Sequence, residues 1–525
     1  MDDPLVAAIA LLLGLLLAAT GLGLVARRLR IPDPILLVIG GLALALVPDL
    51  PRVELEPDIV FLLFLPPILY AAGYFTSIRE FKANLRAILL LSIGLVLFTT
   101  VVVAVTVRLL DPSLAWPVAF ALGAIVSPPD AVAATAIFQR LGVPRRVVTV
   151  LEGESLVNDA TALVALNTAI AASVAGSAFS VPSAAGDFVV VALGGVAIGA
   201  AAGIVVGRVL ARIDDPTLGI VLTLLVPALV FLPAELAGVS GVLAVVTAGL
   251  IAGRQSAWTL SSAQRVQGQA AWSTALFVIN GLVFILIGLQ LPTVIEGLGE
   301  YPPAQLATLA AGSILAAILA RLVWVPVASG VARLVAARLG RPDPYPEPRN
   351  VAVVAWAGMR GVVSLAAALA LPERFPDREL VLFLTFCVIL ATLVVQGLTL
   401  PLVIRVLRVT SDGDGDAEER IARRHAVEAA VEQIERLRAT WPEHLPLIDQ
   451  LRVQYDHRLE HIEPDDEEPR DDAERELLEH RIIRREVIDA ERATVVALRD
   501  RGVIGDEALR RIERDLDLEE LRLEA

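Results

Sequence analysis

The sequence predicts an all-α membrane protein of about thirteen transmembrane helices, followed by a helical cytosolic tail. Three observations predict it. The 525 residues are 56% hydrophobic and 19% charged, with a mean hydropathy of +0.69, well above the apolar share of a soluble globular domain. Apolar stretches of about 17 to 30 residues, the length a helix needs to cross a bilayer, recur along most of the chain. Basic residues concentrate in every second loop, the pattern that fixes the orientation of a multi-span protein.

The apolar stretches are centred near residues 15, 41, 66, 96, 126, 160, 199, 226, 246, 282, 318, 361 and 393. Arg27, Arg28 and Arg30 follow the first, Arg79, Lys82 and Arg86 the third, and Arg140, Arg145 and Arg146 the fifth. Arg208 and Arg212 follow the seventh, Arg254 and Arg265 the ninth, and Arg333, Arg338, Arg341 and Arg349 the eleventh. The intervening loops carry only Arg52, Arg108, Arg374 and Arg378, so the N-terminus is expected outside and the C-terminus in the cytoplasm. The first stretch is too long, and too embedded in a series, to be a cleaved signal peptide. The single cysteine, Cys387, allows no internal disulfide.

Composition divides the chain near residue 410. Residues 1–410 form the membrane domain, and residues 411–525 open with the polar stretch SDGDGDAEER and then become charged. Segments such as RRHAVEAAVEQIERL space apolar residues three and four apart, as amphipathic helices do, while EPDDEEPRDD reads as a loop. The net charge of -14 argues against nucleic acid as a partner; membrane lipid is the expected one. All five histidines lie in the tail, and no HExxH, GxSxG or GxxxxGK[ST] pattern occurs, so an intramembrane enzyme or a resident cofactor is unsupported.

Three spans concentrate polar groups. In the fifth, Ser127-Pro128-Pro129-Asp130 falls about 20 Å along the span at about 1.5 Å per residue. Two prolines break a helix, and Ser127 as N-cap, Pro128 at the first helical position and Asp130 in the first turn would restart one. In the sixth, GESLVNDATALV, Glu154 and Asn158 share one helix face and Ser155 and Asp159 the next. Acids at this depth are functional or paired: Asp159 reads as functional and Glu154 as one half of an ion pair. The twelfth span offers Arg360 between Gly358 and Gly361, a second helix break and the expected partner of Glu154. Arg321, midway along the eleventh span, has no partner legible in the sequence. Spans five and twelve are seven apart and so run in opposite directions. With the seventh span as linker, spans one to six and eight to thirteen would form two inverted repeats with crossed discontinuous helices.

SPPDAVAATAIFQRLGVPRRVVTVLEGESLVNDATALV followed by WAGMRGVVSLA resembles the bacterial branch of the monovalent cation:proton antiporters that include the NhaP proteins and the eukaryotic sodium/proton exchangers. The resemblance covers the membrane region and extends to the tail at RREVIDAERATVVALRD. It implies that Asp159 binds cation and proton alternately, that Asn158 completes the pair marking the electroneutral branch, and that Asp130 and Ser155 belong to the cation site. It also implies a Glu154–Arg360 structural ion pair, and a homodimer whose protomers each have a core and a dimerisation part. One departure stands out: where many relatives read PPLLFEAGY, this chain reads PPILYAAGY, with Ala71 in place of the glutamate.

The expected function is therefore exchange of sodium, with lithium or potassium as alternative ions, for protons across the plasma membrane. Asp159, Asp130 and Ser155, with carbonyls near Ser127 and water, would hold a monovalent cation. Competition between cation and proton for Asp159 would give one-for-one, electroneutral exchange by alternating access. A potassium/proton antiporter is the runner-up. A cation channel and an organic-anion carrier are the rivals from other classes, the latter disfavoured because Asp130 at the half-helix N-terminus would repel an anion.

Overall fold

The computed structural model describes residues 4–29, 31–47, 60–175, 181–299, 301–338, 347–409, 414–462, 470–501, 503 and 506–524. Arg30, Arg52, Arg341, the start of the SDGDGDAEER stretch and most of EPDDEEPRDD lie outside them. The described residues form two compact units, residues 1–412 and 413–525.

The regular elements of the first unit are all helices among its described residues. Its helices are α1 (Pro4–Leu29), α2 (Asp33–Ala45), α3 (Leu65–Phe75), α4 (Ile78–Ala83), α5 (Leu85–Leu110), α6 (Trp116–Val126), α7 (Ala131–Leu141) and α8 (Arg145–Ala175). They continue with α9 (Val181–Leu210), α10 (Pro216–Leu236), α11 (Gly241–Thr259), α12 (Ser262–Glu296), α13 (Pro303–Arg338), α14 (Pro348–Trp356), α15 (Val362–Leu369) and α16 (Arg378–Val406). Among the described residues nine helical segments are long and apolar enough to cross a membrane, and Asp33–Ala45, Leu62–Phe75 and Gly241–Ser256 are shorter apolar helices. Each apolar centre read from the sequence falls in a helical segment except residue 361, which falls at the break between α14 and α15. Helix lengths depart from the expected range in both directions, with 11 residues in α3 and 13 in α2 against 36 in α13.

Apolar residues serve two surroundings here. One set packs inside, as in the cluster joining Phe284 and Ile285 of α12 to Val38 of α2 and Phe386 and Ile389 of α16. Another faces out: only 17% of the α9 span and 22% of the α1 span are buried. A surface that apolar is stable against lipid or another chain, not against water. Small residues draw helices together where backbones meet, as at Gly41 and Gly288 between α2 and α12. Turns of π-helix at Leu90–Leu95 in α5 and Thr392–Gln396 in α16 have no signal in the apolar pattern.

The second unit is α17 (Asp414–Thr440), α18 (Leu445–Ile462), α19 (Arg470–Asp500) and α20 (Asp506–Glu524). Helix α17 already runs through DGDAEER, within the polar stretch that opens the tail. Helix α17 pairs with α18 and α19 with α20. Val427, Ile434 and Ile448 are buried in the first pair and Ile488, Leu509 and Leu516 in the second. Ion pairs ring both, including Arg452–Glu435 at 2.7 Å and Arg492–Asp517 at 2.8 Å.

Candidate functional site: two helix breaks around a buried carboxylate

The fifth apolar stretch is interrupted as the two prolines demand, but the restart lies three residues later than the sequence suggested. Ser127 is the C-cap of α6, with helical φ and ψ, and its hydroxyl donates back to the Ala124 carbonyl at 2.9 Å. Asp130 is the N-cap of α7, its Oδ1 accepting the Val132 N–H at 2.9 Å. A carboxylate satisfies a first-turn N–H and carries the charge the dipole favours, so Asp130 outcompetes the hydroxyl for this role.

The second break, residues 357–361 between α14 and α15, meets the first. The Asp130 N–H donates to the Met359 carbonyl at 2.7 Å, and the Asp130 carboxylate lies beside the N-terminus of α15, at Val362 and Gly361. A Cβ on Gly361 would overlap Asp130 Oδ2, so only glycine admits this approach. One carboxylate thus serves the N-termini of two half-helices. Their C-terminal counterparts are served by two arginines. Arg360 Nε donates to the carbonyl of Val126, the last residue of α6, at 3.0 Å. The same guanidinium also donates to the carbonyls of Gly358 and Ala317, and the Arg360 N–H donates to Thr392 Oγ1 at 3.1 Å. Arg321 Nε donates to the Val354 carbonyl in the last turn of α14 at 3.1 Å. Positive charge sits at both C-terminal ends and negative charge at both N-terminal ends, as helix dipoles favour.

The expected Glu154–Arg360 ion pair is not formed. Both oxygens of Glu154 accept from Arg321, at 2.5 and 2.9 Å, and all three residues are 1% exposed or less. Arg360 is occupied by the carbonyls of Val126 and Gly358 at the breaks and of Ala317 in α13, which leaves the fork of Arg321 to take the carboxylate bidentately. This also supplies the partner of Arg321 that the sequence left unnamed.

Helix α8 presents the remaining groups. Asn158 Nδ2 donates to the Pro129 carbonyl at 2.9 Å, fastening α8 to the first break, while its buried Oδ1 has no partner among the described residues. Asp159 is 4% exposed and lies close enough to Asp130 for the two charges to interact. Ser155 is half-buried one turn before it. Asp159 carries no hydrogen bond among the described residues, unlike Glu154 and Asp130. Pro128, Pro129, Gly358 and Gly361 all lie in the two breaks. The structure therefore brings Ser127, Asp130, Asn158, Asp159 and Arg360 into one region and assigns Glu154 to a different arginine. Sequence reasoning did not reach Thr392, whose hydroxyl receives the Arg360 N–H, or the carbonyls of Val126 and Ala317; main-chain acceptors leave no residue-type signal.

An all-helical, multi-pass membrane chain whose two interrupted helices meet at their breaks beside buried carboxylates has the build of a secondary transporter rather than an enzyme. Comparison with known proteins agrees. Residues 12–406 match the family described as the sodium/hydrogen exchanger, transmembrane region. The chain is 36% identical over 534 residues to an uncharacterized Na(+)/H(+) exchanger of Mycobacterium tuberculosis, covering 99% of this chain and 97% of the relative. It is 38% identical over 389 residues to the sodium, potassium, lithium and rubidium/H(+) antiporter of Bacillus pumilus, covering 71% and 57%. Its fold is like that of the sodium proton antiporter MjNhaP1 from Methanocaldococcus jannaschii, with a TM-score of 0.61 at 20% identity over 77% of this chain and 99% of that one. The protein belongs to the sodium/hydrogen exchanger family.

Proposed function

We propose that the protein exchanges sodium for protons one for one, with Asp159 as the carboxylate that takes cation and proton in turn. One observation carries this reading. The other buried charges at the breaks balance, Glu154 and Asp130 against Arg321 and Arg360, and each has hydrogen-bond partners; among the described residues Asp159 alone has neither counter-charge nor donor. An uncompensated carboxylate at bilayer depth costs several kcal/mol, so the site is driven to bind a proton or a cation. Either returns the region to the same net charge. Movement with proton or with cation then carries no net charge.

A hard cation wants oxygen ligands. Asp159, Asp130, Ser155, the Asn158 Oδ1 and carbonyls near Ser127 supply them, with water. The reading includes thirteen spans in two inverted repeats, the N-terminus outside, the tail in the cytoplasm, the plasma membrane as location, a core and a dimerisation part in the membrane unit, and a homodimer covering part of the exposed apolar surface. Potassium is the second reading. Ala71, 1% exposed and packed in the same cluster as Leu156 and Ala160 of α8, removes a carboxylate found in many relatives, and the Bacillus pumilus relative is named for four alkali ions.

The test uses liposomes with an imposed pH gradient, to which sodium, lithium or potassium is added with and without a potassium ionophore clamping the voltage. Sodium collapses the gradient equally in both conditions, and Asp159→Asn is silent. Collapse by potassium alone reassigns the ion. Exchange retained by Asp159→Asn removes that residue from the mechanism, and a current under a cation gradient without proton movement points to a channel.

A further inference from the structure

Away from the helix breaks, a cavity of about 630 Å3 opens between the end of α3, the short helix α4 and the end of α11. Arg79, Lys82 and Arg254 line it together with Ser77, Tyr74 and Gly253, and no carboxylate is among its described lining residues. Its far wall is stiff. Helices α3 and α11 approach so closely that a Cβ on Gly249 would stand 2.5 Å from the Tyr70 carbonyl and one on Gly253 would overlap that of Tyr74. Its near wall belongs mechanically to the transport helix. Glu80 of α4 pairs with Arg145 at 2.8 Å and accepts the Thr149 hydroxyl at 2.8 Å, and Asn84 Oδ1 accepts from Arg146 Nε at 3.1 Å. Arg145, Arg146 and Thr149 are the first turns of α8, the helix that carries Asp159.

We propose that this cavity binds a phosphate-bearing anion, which joins Arg254 on the α3–α11 wall to Arg79 and Lys82 on the α4–α8 wall and so slows exchange. Lys82 and Arg254 on the two walls of one concave space, with Arg79 beside them and no carboxylate among the described lining residues, make a site for a multiply charged oxyanion, and basic pockets between helix ends on the cytoplasmic side of a membrane hold lipid headgroups. A free phosphate presents the same chemistry. The anion acts as a brake because it bridges two walls that a moving α8 would separate. Binding is independent of the antiport reading; the slowing rests on it.

Binding is measured first, by thermal unfolding of the detergent-solubilised full chain with phosphatidylglycerol, phosphatidylcholine or inorganic phosphate. Phosphatidylglycerol or phosphate raises the melting temperature of the parent, phosphatidylcholine does not, and the double variant Lys82→Gln/Arg254→Gln loses the rise while Arg254→Lys keeps it. Protection by phosphatidylglycerol alone assigns a lipid headgroup, and protection by phosphate alone a soluble anion. Equal protection of parent and double variant, or protection by neither anion, overturns the site. Exchange is then compared in phosphatidylcholine liposomes with and without the protecting anion. The parent slows at least about fivefold, the lower end of ordinary coupling between sites, and the double variant does not. Unchanged or faster exchange by the parent, with binding intact, overturns the brake and leaves the site.

Discussion

Glu154 grips Arg321 with both carboxylate oxygens, 167 residues away in the chain, while Arg360 turns to the carbonyls of Val126, Gly358 and Ala317. Removing one partner of a fully buried pair strands the other charge, at a cost of about 3–5 kcal/mol, whereas replacing both by apolar groups of similar volume restores most of it. Glu154→Gln is therefore expected to lower the melting temperature sharply, and Glu154→Leu with Arg321→Met to recover it. A double-mutant cycle of Glu154 with Arg360 should show the weaker coupling. Stronger coupling to Arg360 than to Arg321 would overturn the assignment.

Much of this arrangement was legible in the sequence, and the exceptions have physical reasons. The break at Pro128-Pro129 and its neighbour Asp130 are local: missing N–H groups and ring sterics act on adjacent residues whatever the tertiary fold. The span centres are local too, since lipid selects each apolar stretch by its own length. The cap lies three residues beyond the expected one because a hydroxyl and a carboxylate are both in reach, and the charge of Asp130 suits the N-termini of α7 and of α15, which the sequence does not show meeting there. Glu154 was matched to the wrong arginine for a similar reason. Arg321 and Arg360 sit on different spans, and which one faces α8 depends on helix packing that no spacing encodes.

Gly361 is expected to tolerate no side chain. A methyl group there would overlap Asp130 Oδ2 and push the carboxylate away from the N-termini of α7 and α15. Displacements of about 1 Å in a functional site commonly cost about 100-fold in rate. Gly361→Ala should thus reduce proton-coupled cation flux by about that factor in the liposome assay. Gly358→Ala, whose Cβ would stand 2.5 Å from Arg321 Cδ, should instead lower the melting temperature by disturbing the ion pair. Wild-type flux in Gly361→Ala would show that the contact between the breaks is dispensable.

Asp111, just beyond α5, links the turn to the next helix with the start of α13. It accepts the Ser113 hydroxyl at 2.5 Å, the Ser113 N–H at 3.0 Å and Gln305 Nε2 at 2.7 Å. These bonds, the Ser113 hydroxyl first, hold its carboxyl below the usual carboxylate range. A depressed pKa in the folded state adds stability above the unfolded value and loses it as pH falls through the folded value. Stability from Asp111 should therefore be constant between about pH 5 and 8 and decline below about pH 4. Melting curves of parent and Asp111→Asn should converge as the pH drops through that range; a constant difference would mean that the carboxylate charge plays no part.

Asn158 separates fastening from charge. Its Nδ2 donates to the Pro129 carbonyl at 2.9 Å, a bond that neither aspartate nor leucine can make when an ionised or apolar group replaces the amide. Asn158→Asp and Asn158→Leu should both lose about 1–3 kcal/mol of stability, the cost of stranding a buried acceptor. They should differ electrically. The aspartate adds a negative charge beside Asp159 that one cation or one proton leaves uncompensated, so whatever exchange remains becomes sensitive to the clamped voltage. With leucine, residual exchange stays insensitive. Two variants as stable as the parent would remove the Pro129 contact from the account, and voltage-insensitive exchange by Asn158→Asp would show that the balance of buried charge does not set the stoichiometry.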